Sequence, residues 1–184
     1  MLMLFAMITV SLLLSYGIGN ISLGKSQQQT GTGMVFDSVD LSLKDLVNDS
    51  KIIVLGNVVD QNSNGTGGED QVGVPNNLMQ VPLIRNAIQV EEVIKGNYTD
   101  KTIDVATEGD LTGHISMEGN ARLYKGERVI LFLYPEKIYA GKYSVTGMEQ
   151  GKYHVDSNGQ VRGKFMQNGT SLTSFEATIQ KLTR

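Results

Sequence analysis

The sequence predicts a mainly β domain: a small closed barrel of about five or six strands, preceded by a short helix and followed by an amphipathic one. Three observations lead there. Glycine is frequent and proline scarce, 21 against 3 in 184 residues, a balance that suits short strands joined by tight turns. Alternating or wholly apolar segments recur from about residue 51 to residue 163, separated by turns rich in Gly, Asn and Asp. One of them, "VILFLY" at 129–134, has no polar interruption and so needs cover on both faces. A barrel interior takes one face and a helix can lid the other. In a β-sandwich, the alternative architecture, the facing sheet would do the covering.

The chain opens with "MLMLFAMITVSLLLSYGIGN", apolar from Met1 to Leu14 and nearly so to Ile18, with Lys25 as the first charged side chain. Nothing polar patterns a second helix face, so residues 1–24 are expected to be a signal peptide or, left uncut, a membrane anchor of about 18 residues. Gly17, Gly19 and Gly24 offer cleavage positions, and the absence of cysteine excludes a lipoprotein anchor. Residues 25–38, "KSQQQTGTGMVFDS", lack periodicity and read as a polar linker. Residues 39–184 remain as a single domain, since a chain of this length is too short for two comfortable ones.

Within the domain, "LSLKDLVNDS" predicts a helix over about 43–49. Ser42 caps it with Asp45 at the third position, and Leu41 and Leu46 are placed as a hydrophobic staple. "KIIVLGNVVD" at 51–60 carries apolar residues on both faces, Ile52, Val54 and Val58 on one and Ile53, Leu55 and Val59 on the other. Residues 61–80 are expected to form a long loop, of a composition that favours mobility. In "LIRNAIQVEEVIK", 83–95, Ile84, Ile88 and Val90 alternate until Glu91 and Glu92. A β-bulge at Glu91 or Glu92 is then needed to return Val93 to the interior. "KTIDVAT" places Ile103 and Val105 inward, and "KYSVTG" and "GKYHVDSNGQVRGKF" are further strands, the latter turning at Asp156–Gly159. "TSFEATIQKL" predicts a closing helix capped by Thr173, with Phe175, Ile179 and Leu182 on one face. These three residues, or the leading helix, are expected to cover the outward face of 129–134.

The chemistry-bearing residues are few. A net charge of −3, with no run of Lys or Arg longer than a pair, gives no footprint for nucleic acid or for an anionic membrane surface. Without cysteine there is no disulfide, thiolate ligand or cysteine nucleophile. Only His114 and His154 could serve as histidine bases, and no G-x-S-x-G, H-E-x-x-H or phosphate-cradling glycine loop occurs. Glu91 and Glu92 are adjacent, yet neither is placed in an apolar pocket that would raise its pKa. Glu108, Asp110, His114 and Glu118 share the irregular stretch 108–122, but their spacing matches no regular metal-ligand pattern. His154 alternates with inward Tyr153 and Val155 and is expected at the surface. N-x-S/T sequons stand at Asn20, Asn48, Asn64, Asn97 and Asn168, more than the composition would give by chance, about two. Asn48, Asn64, Asn97 and Asn168 fall in the domain as candidate glycosylation sites.

"LSLKDLVNDSKIIVLGNVV", "IQVEEVIKGN", "LYKGERVILFLYPE" and "YSVTGMEQGKYHVDSNGQV", followed by the closing helix, resemble a widespread group of exported bacterial and archaeal domains of unassigned activity. Their layout is similar to the netrin module and the tissue inhibitors of metalloproteinases. The likeness spans about residues 40–183, with "EEVIKG" and "KGERVILFL" its most specific parts. It implies an OB-like barrel that acts by binding. Those inhibitors chelate zinc through an N-terminal cysteine, and netrin modules are disulfide-bonded; this chain has no cysteine, so that mechanism does not carry over.

The functional expectation is therefore a non-enzymatic, exported or membrane-anchored interaction domain of the cell envelope. It needs no cofactor and no metal, and meets an extracellular protein or envelope component through the loops at 61–80 and 108–122. Two alternatives stand beside it: a metal-assisted hydrolase built on Glu108, Asp110, His114 and Glu118, and a structural subunit of a cell-surface assembly.

Overall fold

A computed structural model describes residues 39–64, 82–114, 118–137, 141–164 and 166–184. The expected leader, the linker and the sequon at Asn20 lie outside these residues, as does 65–81, most of the expected long loop. At Asn64 and Gln167 only the backbone is described.

The described chain runs α1 (Leu43–Asp49), β1 (Ile52–Asn64), β2 (Leu83–Lys95), β3 (Thr102–Glu108), β4 (Arg128–Pro135) and β5 (Tyr143–Val145). A 3-10 turn at Met148–Gly151 follows, then β6 (Lys152–Val155), β7 (Gln160–Gly163), β8 (Met166–Ser171) and α2 (Leu172–Leu182). Strands pair in the order β1-β2-β3-β5-β4, and β4 pairs back onto β1, so five strands close into a barrel. All contacts are antiparallel except β3 with β5, where Val105 faces Tyr143 in parallel register. This is the closed OB-like barrel that the sequence predicts, and closure overturns the β-sandwich alternative. Among the described residues no second sheet stands opposite; the strand set curls onto its own first member and covers its own inner face.

β1 achieves closure by serving both neighbours. Residues 52–57 pair with β4 on one edge, while β2 runs along the other edge from Ile53 to Asn64. A strand in two such partnerships must coil, and Gly56 marks the place. A Cβ there would stand 2.4 Å from the Gln89 carbonyl and 2.9 Å from the Ile88 side chain. Leu55 faces Glu92 and Gly56 faces Val90, so Glu91 is the extra residue of a β-bulge, as expected from the phase slip. The bulge leaves Glu91 and Glu92 exposed and packs both Val90 and Val93 against the barrel core.

The interior is filled by Ile52, Val54, Val58, Ile88, Ile103, Val105, Val129, Leu131, Leu133 and Val145, with Ala121 and Leu123 entering from the chain before β4. Alternate residues of β1 and β4 point the other way, into a second core. There Ile53, Leu55, Ile130 and Phe132 meet Leu46 and Val47 of α1, Tyr153, Val155 and Val161 of β6 and β7, and Phe175 and Ile179 of α2. Phe132, Tyr153 and Phe175 form an aromatic cluster with ring centroids 4.7–6.5 Å apart. Val129 to Leu133 are all fully buried, so the outward face of β4 is covered, and both helices cover it. Leu182 packs at the edge of this core.

β4 is also paired on both edges. β1 lies on one; β5 and then β6 share the other, meeting 133–135 and 129–131 in turn. The meander β6-β7-β8 extends the sheet beyond the barrel and delivers the chain to α2. Asp156 makes the β6–β7 turn by accepting the Asn158 and Gln160 N–H groups, both at 2.9 Å, with Gly159 at φ +71°. In α1, Ser42 and Asp45 form the expected capping box, and no basic residue lies in the last turn. Lys95 of β2 supplies one, donating to the Val47 and Ser50 carbonyls at the helix end.

Four expectations need correction. α2 is capped by Ser171, whose hydroxyl accepts the Ser174 N–H, and Thr173 lies inside the helix. Val59 is 40% exposed, because a register shift between Val58 and Asp60 puts an unpaired residue in β1. Residues 61–64 continue β1, extended by pairing with 83–86 of β2. Among the described residues the sheet has eight strands, the unforeseen one being β8.

Candidate functional site

The barrel has one end where β1 and β3 finish and β2 begins, and there the interior turns polar. Asn86 is fully buried. Its amide donates to the Val105 carbonyl at 3.1 Å and to the Thr107 hydroxyl at 3.0 Å, and its oxygen accepts from Gln61 at 2.8 Å. Gln61 then reaches out of the barrel, donating to the Leu123 carbonyl at 2.7 Å and accepting the Lys125 N–H at 3.1 Å. The Gly126 N–H donates to the Val58 carbonyl at 2.7 Å and the Val58 N–H to the Glu127 carbonyl at 2.9 Å. These bonds stitch residues 123–127 across the barrel mouth, and Ala121 and Leu123 plug it. A buried network with its polar groups matched holds a loop more rigidly than apolar contact alone.

Between this collar and residues 107–113 lies a cleft of about 170 Å³ with Ile84 and Gln61 on its floor. That is below the usual range for small-molecule pockets, roughly 300–1,000 Å³, and suits one inserted side chain. Two large apolar side chains flank it in the open, Leu111 at 50% and Tyr124 at 58% exposure. Tyr124 is held in place. Its N–H donates to Glu127 Oε2 at 3.2 Å, and the Lys152 ammonium sits 5.3 Å from its ring centroid. Lys152 is anchored in turn by the Glu127 carboxylate at 2.8 Å and by the Arg122 carbonyl, at 2.5 Å.

A smaller recess of about 80 Å³ adjoins the cleft across Thr107 and Glu108, walled by Tyr134, Glu136, Ser144 and Met148. Glu136 accepts the Ser144 hydroxyl at 2.8 Å. Desolvation raises the Glu108 pKa above its ordinary value, and the neighbouring Glu136 charge adds to the rise. Tyr134, 39% exposed where β4 runs out from under the helices, is likewise raised, by desolvation first and Glu136 second. The smaller recess is thus acidic and partly dehydrated, while Arg122 lines the cleft beside it.

The residues singled out in the sequence fall at several places. Glu91 is held by Arg128, with Nη2 at 2.6 Å and Nε at 3.0 Å, and by Asn57, and its pKa is lowered by these bonds, that to Arg128 foremost. Glu92 points to solvent near Glu176 of α2. Asp110 accepts the His114 backbone N–H at 3.0 Å, a turn bond that leaves the imidazole exposed, and Glu118 is exposed as well. Among the described residues, no three His, Asp or Glu side chains stand close enough to share a metal ion. His154 is at the surface, its Nδ1 3.2 Å from Glu127. Asn48, Asn97 and Asn168 are exposed. Sequence reasoning missed Leu111, Tyr124, Glu127 and Lys152 as a group. Leu111 and Tyr124 lie in chain without periodicity, and only the barrel mouth brings them together.

No known protein family matches this sequence, and no curated protein is similar to it.

Proposed function

We propose that the chain is a non-enzymatic binding module, exported or held at the membrane by residues 1–18. Its partner, an extracellular protein or envelope component, docks on the barrel end formed by 107–113 and 121–124. One observation carries the reading: Leu111 and Tyr124 stand exposed beside a side-chain-sized cleft, with the Tyr124 backbone tied to Glu127 and its ring beside the Lys152 ammonium. Rigid exposed aromatic residues beside a pocket are the usual anchors of protein interfaces, because little side-chain entropy is lost on docking. Glu108, which lines both the cleft and the recess, favours a partner that presents a Lys or Arg next to an apolar side chain. The resemblance to netrin modules and metalloproteinase inhibitors supports binding by an OB-like barrel, without the cysteine-dependent chemistry. The apolar leader supports an extracytoplasmic setting.

A photo-crosslinking amino acid placed at position 124 of the full chain, in its own envelope, tests the site. The expected result is a discrete adduct that disappears in Leu111→Asp and is absent when the probe sits at Thr178 of α2. Equal labelling from both positions would overturn the reading.

A further inference from the structure

We infer that Asn97 is an N-glycan acceptor presented by the folded domain. The sequon Asn97-Tyr98-Thr99 occupies the connection between β2 and β3, in chain that is neither helix nor strand. Its middle residue is the anchor. The Tyr98 hydroxyl donates to the Thr102 carbonyl at 2.7 Å, and the ring stands edge-on to Tyr143 with centroids 6.0 Å apart. Gly96, at φ +89° and with no room for a Cβ beside the Lys51 carbonyl at 2.6 Å, turns the chain out of β2 just before it. Asn97 and Thr99 are left exposed on either side of a fixed tyrosine. An acceptor sequon needs this: a reachable amide, a reachable hydroxyl two residues on, and a backbone not committed to a ladder.

The other sequons whose side chains are described differ. Asn48 is exposed in α1, but Ser50 is buried, donating to the Leu46 carbonyl at 2.6 Å and sharing a 3.0 Å bond with the Thr146 hydroxyl. Its hydroxyl is out of reach of any transferase unless the domain opens. Asn168 lies within β8, where Thr170 is paired with Val161 of β7. Among the sequons whose side chains are described, the fold therefore ranks Asn97 first.

The donor is a lipid-linked oligosaccharide. The Asn97 amide nitrogen forms a bond to the anomeric carbon of its reducing-end sugar, and the bond from that carbon to the lipid phosphate oxygen breaks. The lipid phosphate leaves with the electron pair, and the amide gives up one of its protons to a base. In the cell this rests on the export reading above, and the experiment separates the two. The folded full chain, carrying a reference sequon on a C-terminal tag, is incubated with a purified oligosaccharyltransferase and lipid-linked oligosaccharide, and glycopeptides are mapped by mass spectrometry. Glycan is expected on Asn97, absent from Asn97→Gln and Thr99→Val, retained in Thr99→Ser, and absent from Asn48. An unmodified Asn97 beside a modified tag overturns the inference, as does equal modification of Asn48. In a second arm the same chain is translated into sealed microsomes. A tag left unmodified there refutes export alone, while the first arm still decides Asn97.

Discussion

Truncating Phe175 to alanine measures how much of the fold depends on α2 as a lid. The ring is fully buried, 4.7 Å from Tyr153 and 6.5 Å from Phe132, centroid to centroid. Removing a buried phenylalanine costs about 3–5 kcal/mol in transfer energy and cavity. Two aromatic contacts, each adding about 0.5–1.5 kcal/mol beyond burial, put this site toward the upper end. For a domain of this size, each kcal/mol lowers Tm by roughly 2–4 °C, so Phe175→Ala is expected to melt roughly 10–15 °C below the parent. Phe175→Leu keeps most of the volume and is expected to lose less than half of that. Differential scanning calorimetry on the full chain reads both. A loss within about 0.5 kcal/mol, the range of ordinary surface substitutions, would refute the reasoning, since it would mean that α2 does not cover β4.

Further outcomes follow from the same geometry. Gly163→Ala drives a Cβ to 2.5 Å from the Tyr153 ring and is expected to cost about 1–3 kcal/mol in chemical denaturation, although Gly163 has no positive φ to lose. Asn86→Ala strands the Thr107 hydroxyl, the Val105 carbonyl and the Gln61 amide inside the barrel. It is expected to destabilise by about 1–3 kcal/mol and to speed hydrogen exchange in residues 123–127. Glu176 Oε1 is buried without a hydrogen-bond partner among the described residues, and burial followed by the Glu92 charge raises the pKa above its ordinary 4.5. The folded state therefore binds this proton more tightly than the unfolded chain, so the group destabilises at neutral pH and the penalty fades as pH falls through the raised value. Glu176→Gln is expected to raise Tm at pH 7 and to flatten that part of the pH profile; a lower Tm at pH 7 would contradict it. Glu91, with its pKa lowered by Arg128, acts in the opposite sense. Its contribution is present above its unfolded pKa and lost as pH falls through the lower folded one, and Arg128→Ala is expected to remove most of it and leave the smaller part from Asn57, at under about 1 kcal/mol for so exposed a pair.

Much of the fold was legible because it follows from short-range pattern. The uninterrupted "VILFLY" demanded two covers; Val129 to Leu133 have two cores, while Tyr134 runs out beyond them and is exposed. The phase slip at Glu91 demanded a bulge, and Val90 and Val93 both pack inward across it. Ser42 and Asp45 announced α1 three residues apart, as Asp156 and Gly159 announced a hairpin. What escaped was set by partners distant in sequence. "MQNGTS" has no strand pattern of its own and becomes β8 by pairing with β7, which in turn moves the α2 cap from Thr173 to Ser171. Val59 looked like a core residue, but the shift between Val58 and Asp60 makes it the residue of β1 left without a partner in β2. The candidate site was hidden for the same reason. Gln61, Asn86 and Leu123 are joined by hydrogen bonds spanning up to 62 residues, and only their meeting puts Leu111 and Tyr124 on either side of a cleft.

The central claim is that β4 is enclosed on both faces and both edges. Native-state hydrogen exchange of the amides from Val129 to Leu133 tests it most directly. Those N–H groups alternate between β1 on one side and β5 or β6 on the other. All five are predicted to exchange only through global unfolding, at a single free energy equal to the stability measured by denaturation. Fast exchange at every second amide would mean an open edge, and would contradict the closed barrel.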